Sequence, residues 1–125
     1  MLDHIGIYVH SYERSKAFYR LALAPLGYEL ILEYAGWGGF GWADKPVFWI
    51  KGGKSTAPGL QIAFRAEDRE TVREFHRVAL EAGGKDKGAP GLREEYHPDY
   101  YAAYVLDPDG HNVEVVCHTP GDLEV

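Results

Sequence analysis

The 125-residue chain lacks the features that mark several large classes of protein. Its single cysteine, Cys117, excludes an intramolecular disulfide and favours a reducing compartment. No apolar run approaches the roughly 20 residues of a membrane-spanning helix, and the first residues lack the basic segment and apolar core of a secretion signal. Positive charge is scarce, because 13 Lys and Arg face 19 Asp and Glu, for a net charge of −6. We therefore expect a cytoplasmic protein that binds neither nucleic acid nor a membrane.

Apolar and aromatic residues, by contrast, are plentiful enough for a core and a lined pocket. Hydrophobic residues make up 46% of the chain and aromatic residues 14%, including nine Tyr and three Trp. This composition is typical of a folded globular chain rather than a disordered one. The length predicts a single domain over residues 1–125.

The clearest pattern is an internal repeat. When the chain is shifted by 57 residues, residues 3–27 lie on residues 60–84 without a gap, and seven of the 25 pairs are identical. Both copies read as an apolar strand, a polar turn, a helix and a glycine. The alternative is that any two strand–helix units look alike, but composition alone gives only one or two identities. The seven identical pairs are Ile5/Ile62, Glu13/Glu70, Phe18/Phe75, Arg20/Arg77, Ala22/Ala79, Leu23/Leu80 and Gly27/Gly84.

Each copy predicts a strand, a capped helix and three further strands. Ser11 and Asp68 are the expected helix N-caps, because their side chains can accept from backbone N–H groups of the first turn. The Asp107–Gly110 segment predicts a tight turn before the last strand. The strands are predicted over residues 2–9, 28–34, 38–42, 47–51, 60–65, 85–93, 100–106 and 111–118. The modules therefore span residues 1–52 and 59–118, and residues 53–58 are the linker.

This element order predicts an α+β fold of two βαβββ modules. A twisted sheet with one helix covers only one of its faces, so the other face needs a partner. Two modules side by side would form a curved, incomplete barrel around a central cavity. The second module can come from the same chain or from another copy, and the exposed faces lead us to expect a homodimer.

Three polar residues are placed by the repeat on strands that line this cavity. His4 and Gln61 occupy equivalent positions, and Glu114 lies mid-strand on the same face as Asn112 and Val116. A buried carboxylate is expensive unless it is paired or coordinates a cation. The alternatives are that Glu114 faces solvent and that His4 is a hydrogen-bonded structural residue.

Other aromatic and imidazole side chains allow simpler interpretations. The glycine-rich segment 36–42 lies between strands, so it predicts a hairpin or cavity wall whose Trp37 and Trp42 could stack on a ligand. His10, His76 and His111 occupy turn or helix positions, and we expect them on the surface.

Taken together, LDHIGIYV at the start, IAF after the linker and LDPDGHNVEVV at the end resemble the vicinal oxygen chelate superfamily. That group includes glyoxalase I, extradiol dioxygenases, bleomycin-resistance proteins and methylmalonyl-CoA epimerase. The resemblance covers nearly the whole chain and is closest to glyoxalase-like bacterial proteins with HPDYYAA and DPDGHN segments, here residues 97–103 and 107–112.

The resemblance implies a divalent metal, zinc, nickel, iron or manganese, held by one residue from each of four strands. His4 matches the first-strand ligand and Glu114 the last-strand ligand. Gln61 stands where the family usually has His, and Trp49 stands at the fourth position, where it cannot ligate. An amide oxygen is a weaker ligand than imidazole for zinc or iron.

Two functions are open at this point. In the first, a glyoxalase- or dioxygenase-like enzyme chelates a substrate with adjacent oxygens on the metal, which acts as a Lewis acid. His97, Tyr101 and Tyr104 are the candidate bases, with loop capping and strand packing as their alternatives. In the second, a metal-free binding protein of the bleomycin-resistance type holds a small molecule between aromatic walls. Trp37, Trp42 and Trp49 are the candidate pocket residues for that function.

Overall fold

The structure is a computed structural model that describes residues 1–56 and 59–121. Residues 57–58 of the predicted linker lie outside the described residues. No helix in the described part is both long and apolar enough to cross a membrane.

The first module forms one four-stranded sheet covered by a helix. The sheet has the order β1-β4-β3-β2, in which β1 runs parallel to β4 and the other neighbours are antiparallel. Its elements are β1 (Ile5–Val9), α1 (Tyr12–Ala22), a short 3₁₀ turn (Ala24–Leu26), β2 (Glu29–Tyr34), β3 (Trp37–Trp42) and β4 (Lys45–Gly52).

The second module repeats this arrangement strand for strand. Its sheet has the order β5-β8-β7-β6, and β5 again runs parallel to the last strand of the module. Its elements are β5 (Gln61–Arg65), α2 (Arg69–Glu81), β6 (Lys85–Leu92), β7 (Tyr101–Leu106) and β8 (Asn112–Cys117). The two sheets confirm the α+β class and the paired βαβββ modules, and they are open rather than closed into a barrel.

Both helices begin at the predicted caps. The Ser11 hydroxyl accepts from the backbone N–H of Arg14 at 3.2 Å, and the Asp68 carboxylate accepts from that of Thr71 at 2.8 Å. Each bond satisfies a donor that the first helical turn leaves without an intrahelical partner.

The core lies where the helix-covered faces of the two sheets meet. Phe48 of β4 and Phe64 of β5 pack edge to face with centroids 5.3 Å apart, so the cluster is continuous across the modules. Alternation along each strand then sends every second side chain to the opposite face. We call these opposite faces the open faces, and they carry the polar residues considered below.

One expectation about the surface was wrong, because His111 is buried. Its side chain is 4% exposed and its Nδ1 lies 2.8 Å from Asp107 Oδ2. Tyr19 of the other module donates to the same carboxylate oxygen at 2.6 Å. The turn that precedes β8 therefore joins the two modules, and a sequence pattern that marks a turn does not reveal such a contact.

Candidate functional site

A carboxylate lies at the floor of a pocket on the open face of the second module. Glu114 is only 2% exposed, and both of its oxygens receive hydrogen bonds. Gln61 Nε2 donates to Oε1 at 2.9 Å, and the Tyr100 hydroxyl donates to Oε2. The cavity above has a volume of about 610 Å³. We call it the Glu114 pocket.

Strand pairing explains why these residues meet. Glu114 lies opposite Tyr104 in the antiparallel pair β7–β8 and opposite Ala63 in the parallel pair β5–β8. The small side chain of Ala63 leaves room above the carboxylate. Gln61, two residues earlier on β5, projects to the same face and reaches Glu114 diagonally.

The loop between β6 and β7 brings further side chains over the pocket. It is closed at its base by a backbone bond from Arg93 N–H to the Tyr100 carbonyl at 2.7 Å. Within it, Tyr100 N–H donates to the His97 carbonyl at 3.0 Å. Arg93, Tyr96 and Tyr100 consequently all line the Glu114 pocket.

The two tyrosines nearest Glu114 are protonated and act as hydrogen-bond donors. Burial, reinforced by hydrogen bonding to Glu114, raises the pKa of Tyr100 well above its usual value. Burial and the Glu114 charge likewise raise the pKa of Tyr104. Both phenols stay protonated at neutral pH, so they can donate hydrogen bonds but are unsuited to act as bases.

The pocket also holds one acceptor without a donor. Asn112 Oδ1 is buried and has no hydrogen-bond partner among the described residues, and Asn112 lines the Glu114 pocket. A buried amide oxygen that loses its water costs free energy until a donor reaches it. A ligand hydroxyl or N–H group would satisfy it.

His4 lies in a different pocket, on the open face of the first module. This second cavity, which we call the His4 pocket, also has a volume of about 610 Å³. His4 Nδ1 lies 2.7 Å from Asp3 Oδ1, with the imidazole 57% exposed. Lys45 donates to the same Asp3 oxygen at 2.6 Å.

Two of the three tryptophans line the His4 pocket. Trp37 and Trp49 meet edge to face with centroids 6.4 Å apart, and Lys51 Nζ lies 3.9 Å from the Trp37 ring centroid. Trp42 lies elsewhere, against Tyr28 at 5.2 Å. The bulge between Phe40 and Gly41 lies between the positions of Trp37 and Trp42 along the strand.

Two of the candidate bases stand away from Glu114. Tyr101 projects to the helix-covered face of its sheet, where its hydroxyl accepts from Arg73 Nη1 at 3.3 Å. His97 is exposed, and its Nδ1 accepts from the backbone N–H of Asp99 at 3.0 Å, which matches the loop-capping alternative. Of the three candidates, only Tyr104 lines the Glu114 pocket.

The side chains of one chain do not fit a divalent metal. Gln61 and Glu114 line one pocket and His4 the other, and Gln61 turns its amide nitrogen toward the carboxylate. In the part of the chain that the structure describes, no three His, Cys, Asp or Glu side chains are grouped to hold an ion. Trp49 adds no ligand.

Sequence reasoning missed Tyr100 and Arg93. The predicted strand over residues 100–106 gives Tyr100 and Tyr104 the same parity, which was a partial signal for the first. Tyr100 nevertheless lies in the loop before β7, and the closure of that loop decides its position. Nothing in the pattern pointed to Arg93, because its position depends on how the β6–β7 loop closes.

Comparison with known proteins agrees with this architecture. A family profile described as the Glyoxalase/Bleomycin resistance protein/Dioxygenase superfamily matches residues 1–115. A glyoxalase/bleomycin resistance protein from Albidiferax ferrireducens T118 is 27% identical, with a TM-score of 0.81 over 94% of this chain and 98% of that one. Among curated proteins, none matches the chain significantly.

More distant structures share the fold alone. A glyoxalase/bleomycin resistance protein/dioxygenase family enzyme from Burkholderia phytofirmans PsJN is 18% identical, with a TM-score of 0.73 over 94% of this chain and 98% of that one. A glyoxalase-related enzyme from Fulvimarina pelagi is 17% identical, with a TM-score of 0.72 over 94% and 87% of the two chains. With the family profile covering all but the last ten residues (125 − 115), the chain belongs to the glyoxalase/bleomycin resistance protein/dioxygenase superfamily.

Proposed function

We propose that this protein binds an organic small molecule directly in the Glu114 pocket, through hydrogen bonds and ring contacts rather than through a metal. One observation carries the proposal: both oxygens of the buried Glu114 carboxylate are held by neutral protein donors, Gln61 and Tyr100. These two hydrogen bonds take one lone pair on each oxygen and replace hydration that the buried carboxylate would otherwise need from an ion.

The pocket offers a ligand a donor and an acceptor. The protonated hydroxyl of Tyr104 is available to a ligand oxygen, since that of Tyr100 already donates to Glu114, and the unpartnered Asn112 Oδ1 is available to a ligand hydroxyl or N–H. Tyr96 and Tyr104 add ring surface, which favours planar molecules. A cavity near 610 Å³ lies within the range of small-molecule sites.

The test is binding of neutral p-hydroxybenzamide, followed by nuclear magnetic resonance and calorimetry with and without EDTA. We expect shifts at the backbone amides of Asn112 and Tyr104, and the same affinity after chelation. Asn112→Ala should weaken binding by about tenfold, the equivalent of one buried hydrogen bond, whereas Tyr101→Phe, on the opposite face, should not. The proposal is overturned if neither this neutral compound nor its two charged analogues, described below, shift any backbone amide resonance of the pocket.

A metal-dependent reaction is the second candidate, and a specific placement favours it. His4 and Gln61 occupy equivalent positions on two open faces. A two-fold dimer that joined the first module of one copy to the second module of another would bring His4 of the partner subunit toward Glu114. The ion would then supply Lewis-acid chemistry to a substrate with adjacent oxygens. This candidate requires the homodimer that the open faces lead us to propose.

Calorimetry with zinc and nickel separates the two candidates. If the dimer completes a metal site, Gln61→His should raise metal affinity, and adding Glu114→Ala or His4→Ala should remove the gain. Light scattering should then report a dimer at micromolar concentration. A monomer, or no gain from Gln61→His in a folded variant, rejects the metal candidate and leaves direct binding.

A further inference from the structure

A second feature of the Glu114 pocket is a fixed cation, Arg93, at its rim. The guanidinium lies over the Tyr104 ring at 5.4 Å, and Nη2 donates to the Ala89 carbonyl at 2.7 Å. No carboxylate of the described residues forms an ion pair with it. Its remaining N–H groups are thus available in a fixed geometry.

Two glycines of β6 make room for this arrangement. A Cβ on Gly91 would come within 3.0 Å of Arg93 Nη1, and one on Gly88 within 3.3 Å of Nη2 and 2.7 Å of Tyr104 Cδ1. Side chains at these positions would push the guanidinium off the ring. The strand is therefore built to hold Arg93 against Tyr104, beside the cavity.

Positive and negative side chains occupy different parts of the Glu114 pocket. Lys87 joins Arg93 among the lining residues, while Glu114 lies at the buried floor and Glu95 on the exposed loop. In a chain of net charge −6, long-range attraction does not draw anions to the surface. An anion would need local, directed donors of the kind that Arg93 provides.

We propose that the ligand of the Glu114 pocket is an oxyanion, a carboxylate or a phosphate ester, which Arg93 binds while the other end of the ligand donates a hydrogen bond to Asn112. This inference rests on the proposed function and adds the chemical class of the ligand. Arg93 is a specificity residue in this role: it distinguishes an acid from a neutral molecule of the same shape. Lys87 adds charge at the same rim.

The experiment compares p-hydroxybenzoate with p-hydroxybenzamide, which shares its ring and hydroxyl but lacks the charge. A third probe, p-hydroxyphenyl phosphate, distinguishes phosphate from carboxylate ligands. We expect at least one of the two anions to bind about tenfold or more tightly than the amide, because a charge-assisted bond to guanidinium is worth that ratio. The Arg93 Nε–H resonance should move with that anion and not with the amide.

Variants locate the effect. Arg93→Gln should abolish the preference for the anion. Arg93→Lys keeps the positive charge but loses the planar, bidentate guanidinium, so it should retain part of the preference. Arg14→Gln, an exposed arginine on α1, is the matched control and should change nothing. Circular dichroism checks that each variant folds. If Arg93→Gln does not fold, the reduced anion preference of Arg93→Lys is the test.

The outcomes separate the two proposals. Equal binding of both anions and the amide, or an anion preference that survives Arg93→Gln, overturns the oxyanion assignment while the pocket remains a binding site. If none of the three probes moves a pocket resonance, the proposed function fails and this assignment fails with it.

Discussion

Glu114 shows how hydrogen bonds from the protein can hold a buried carboxylate. A carboxylate taken out of water costs several kcal/mol unless hydrogen bonds replace the lost hydration. Here one amide and one phenol do so, and the phenol comes from a loop rather than from the sheet. The solvent-facing alternative for this residue is therefore ruled out by its 2% exposure.

The contribution of the Tyr100–Glu114 hydrogen bond to stability can be measured by removing the Tyr100 hydroxyl. Tyr100→Phe should lower the free energy of unfolding at neutral pH by about 1–2 kcal/mol, because it leaves a buried charge short of a donor. Tyr101→Phe is the matched control on the other face, where the loss should be below about 0.5 kcal/mol. Urea denaturation measures both, and equal losses would show that the Tyr100 bond is unimportant.

The same tyrosine gives a pH signature. Its pKa is raised in the folded chain, first by burial and then by Glu114, so the folded state holds this proton more tightly than the unfolded state. Its stabilisation is present below the unfolded pKa of about 10 and is lost as pH rises through the folded value. The alkaline loss of stability should be smaller in Tyr100→Phe than in the wild type.

Among the elements, β6 departs furthest from a regular strand. It contains Gly88, Pro90 and Gly91, and its register with β7 shifts twice along this stretch. Proline lacks a ladder donor and is tolerated because β6 is the edge strand of its sheet. The irregularity explains the weak sequence pattern here and also gives Arg93 its space.

Helix α2 offers a cleaner test of a local signal. Asp68→Ala removes the side-chain acceptor of Thr71 N–H and should lower the free energy of unfolding by about 1 kcal/mol at neutral pH. Glu67→Ala, an exposed neighbour, should be nearly neutral. Guanidinium denaturation of both variants supplies the comparison.

Acid should remove the difference between Asp68→Ala and the wild type. The hydroxyl of Thr71 and then its backbone N–H lower the pKa of Asp68. Its stabilisation is therefore present above the unfolded pKa of about 3.9 and is lost as pH falls through the folded value. A difference that persists undiminished below both values would contradict the capping role.

At the scale of the whole molecule, the two modules are joined by more than apolar packing. Asp107 receives the Tyr19 hydroxyl from the first module and two backbone N–H groups from its own turn, those of Asp109 and His111. His10 N–H donates to Asp109 at 2.8 Å. Such buried, shared bonds favour one cooperative unit over two independent halves.

Removing the shared hydroxyl tests that cooperation. Tyr19→Phe should lower the free energy of unfolding by about 1–2 kcal/mol, whereas Tyr34→Phe, whose side chain is exposed, should not. All three tryptophans lie in the first module, so their fluorescence reports mainly on that module, although Trp42 lies at its boundary with the second. Its transition should coincide with the one seen by circular dichroism, and two separate transitions would refute a single unit.

The local features of this protein followed from the sequence, because their causes are local. Ser11 and Asp68 begin helices through bonds to residues three positions on, and strand alternation alone put Asn112 and Glu114 on one face. The repeat predicted two equal modules because each copy carries the same order of periodic segments. The glycines that end the two copies are equivalent in the sequence but have different structural roles. Gly27 adopts a positive φ of 83°, whereas Gly84 allows the close approach of Val105.

Only the tertiary structure decided how the polar residues are grouped. The helix-covered faces of the two sheets pack into one core, so the open faces, with His4 on one and Glu114 on the other, belong to separate pockets. A loop closure places Tyr100 and Arg93 over Glu114, and a fold around Asp107 buries His111. The contacts that bury His111 and Asp107 include residues far apart in the chain, Thr56 and Tyr19. Their formation depends on packing energies summed over the whole core, which no short pattern contains.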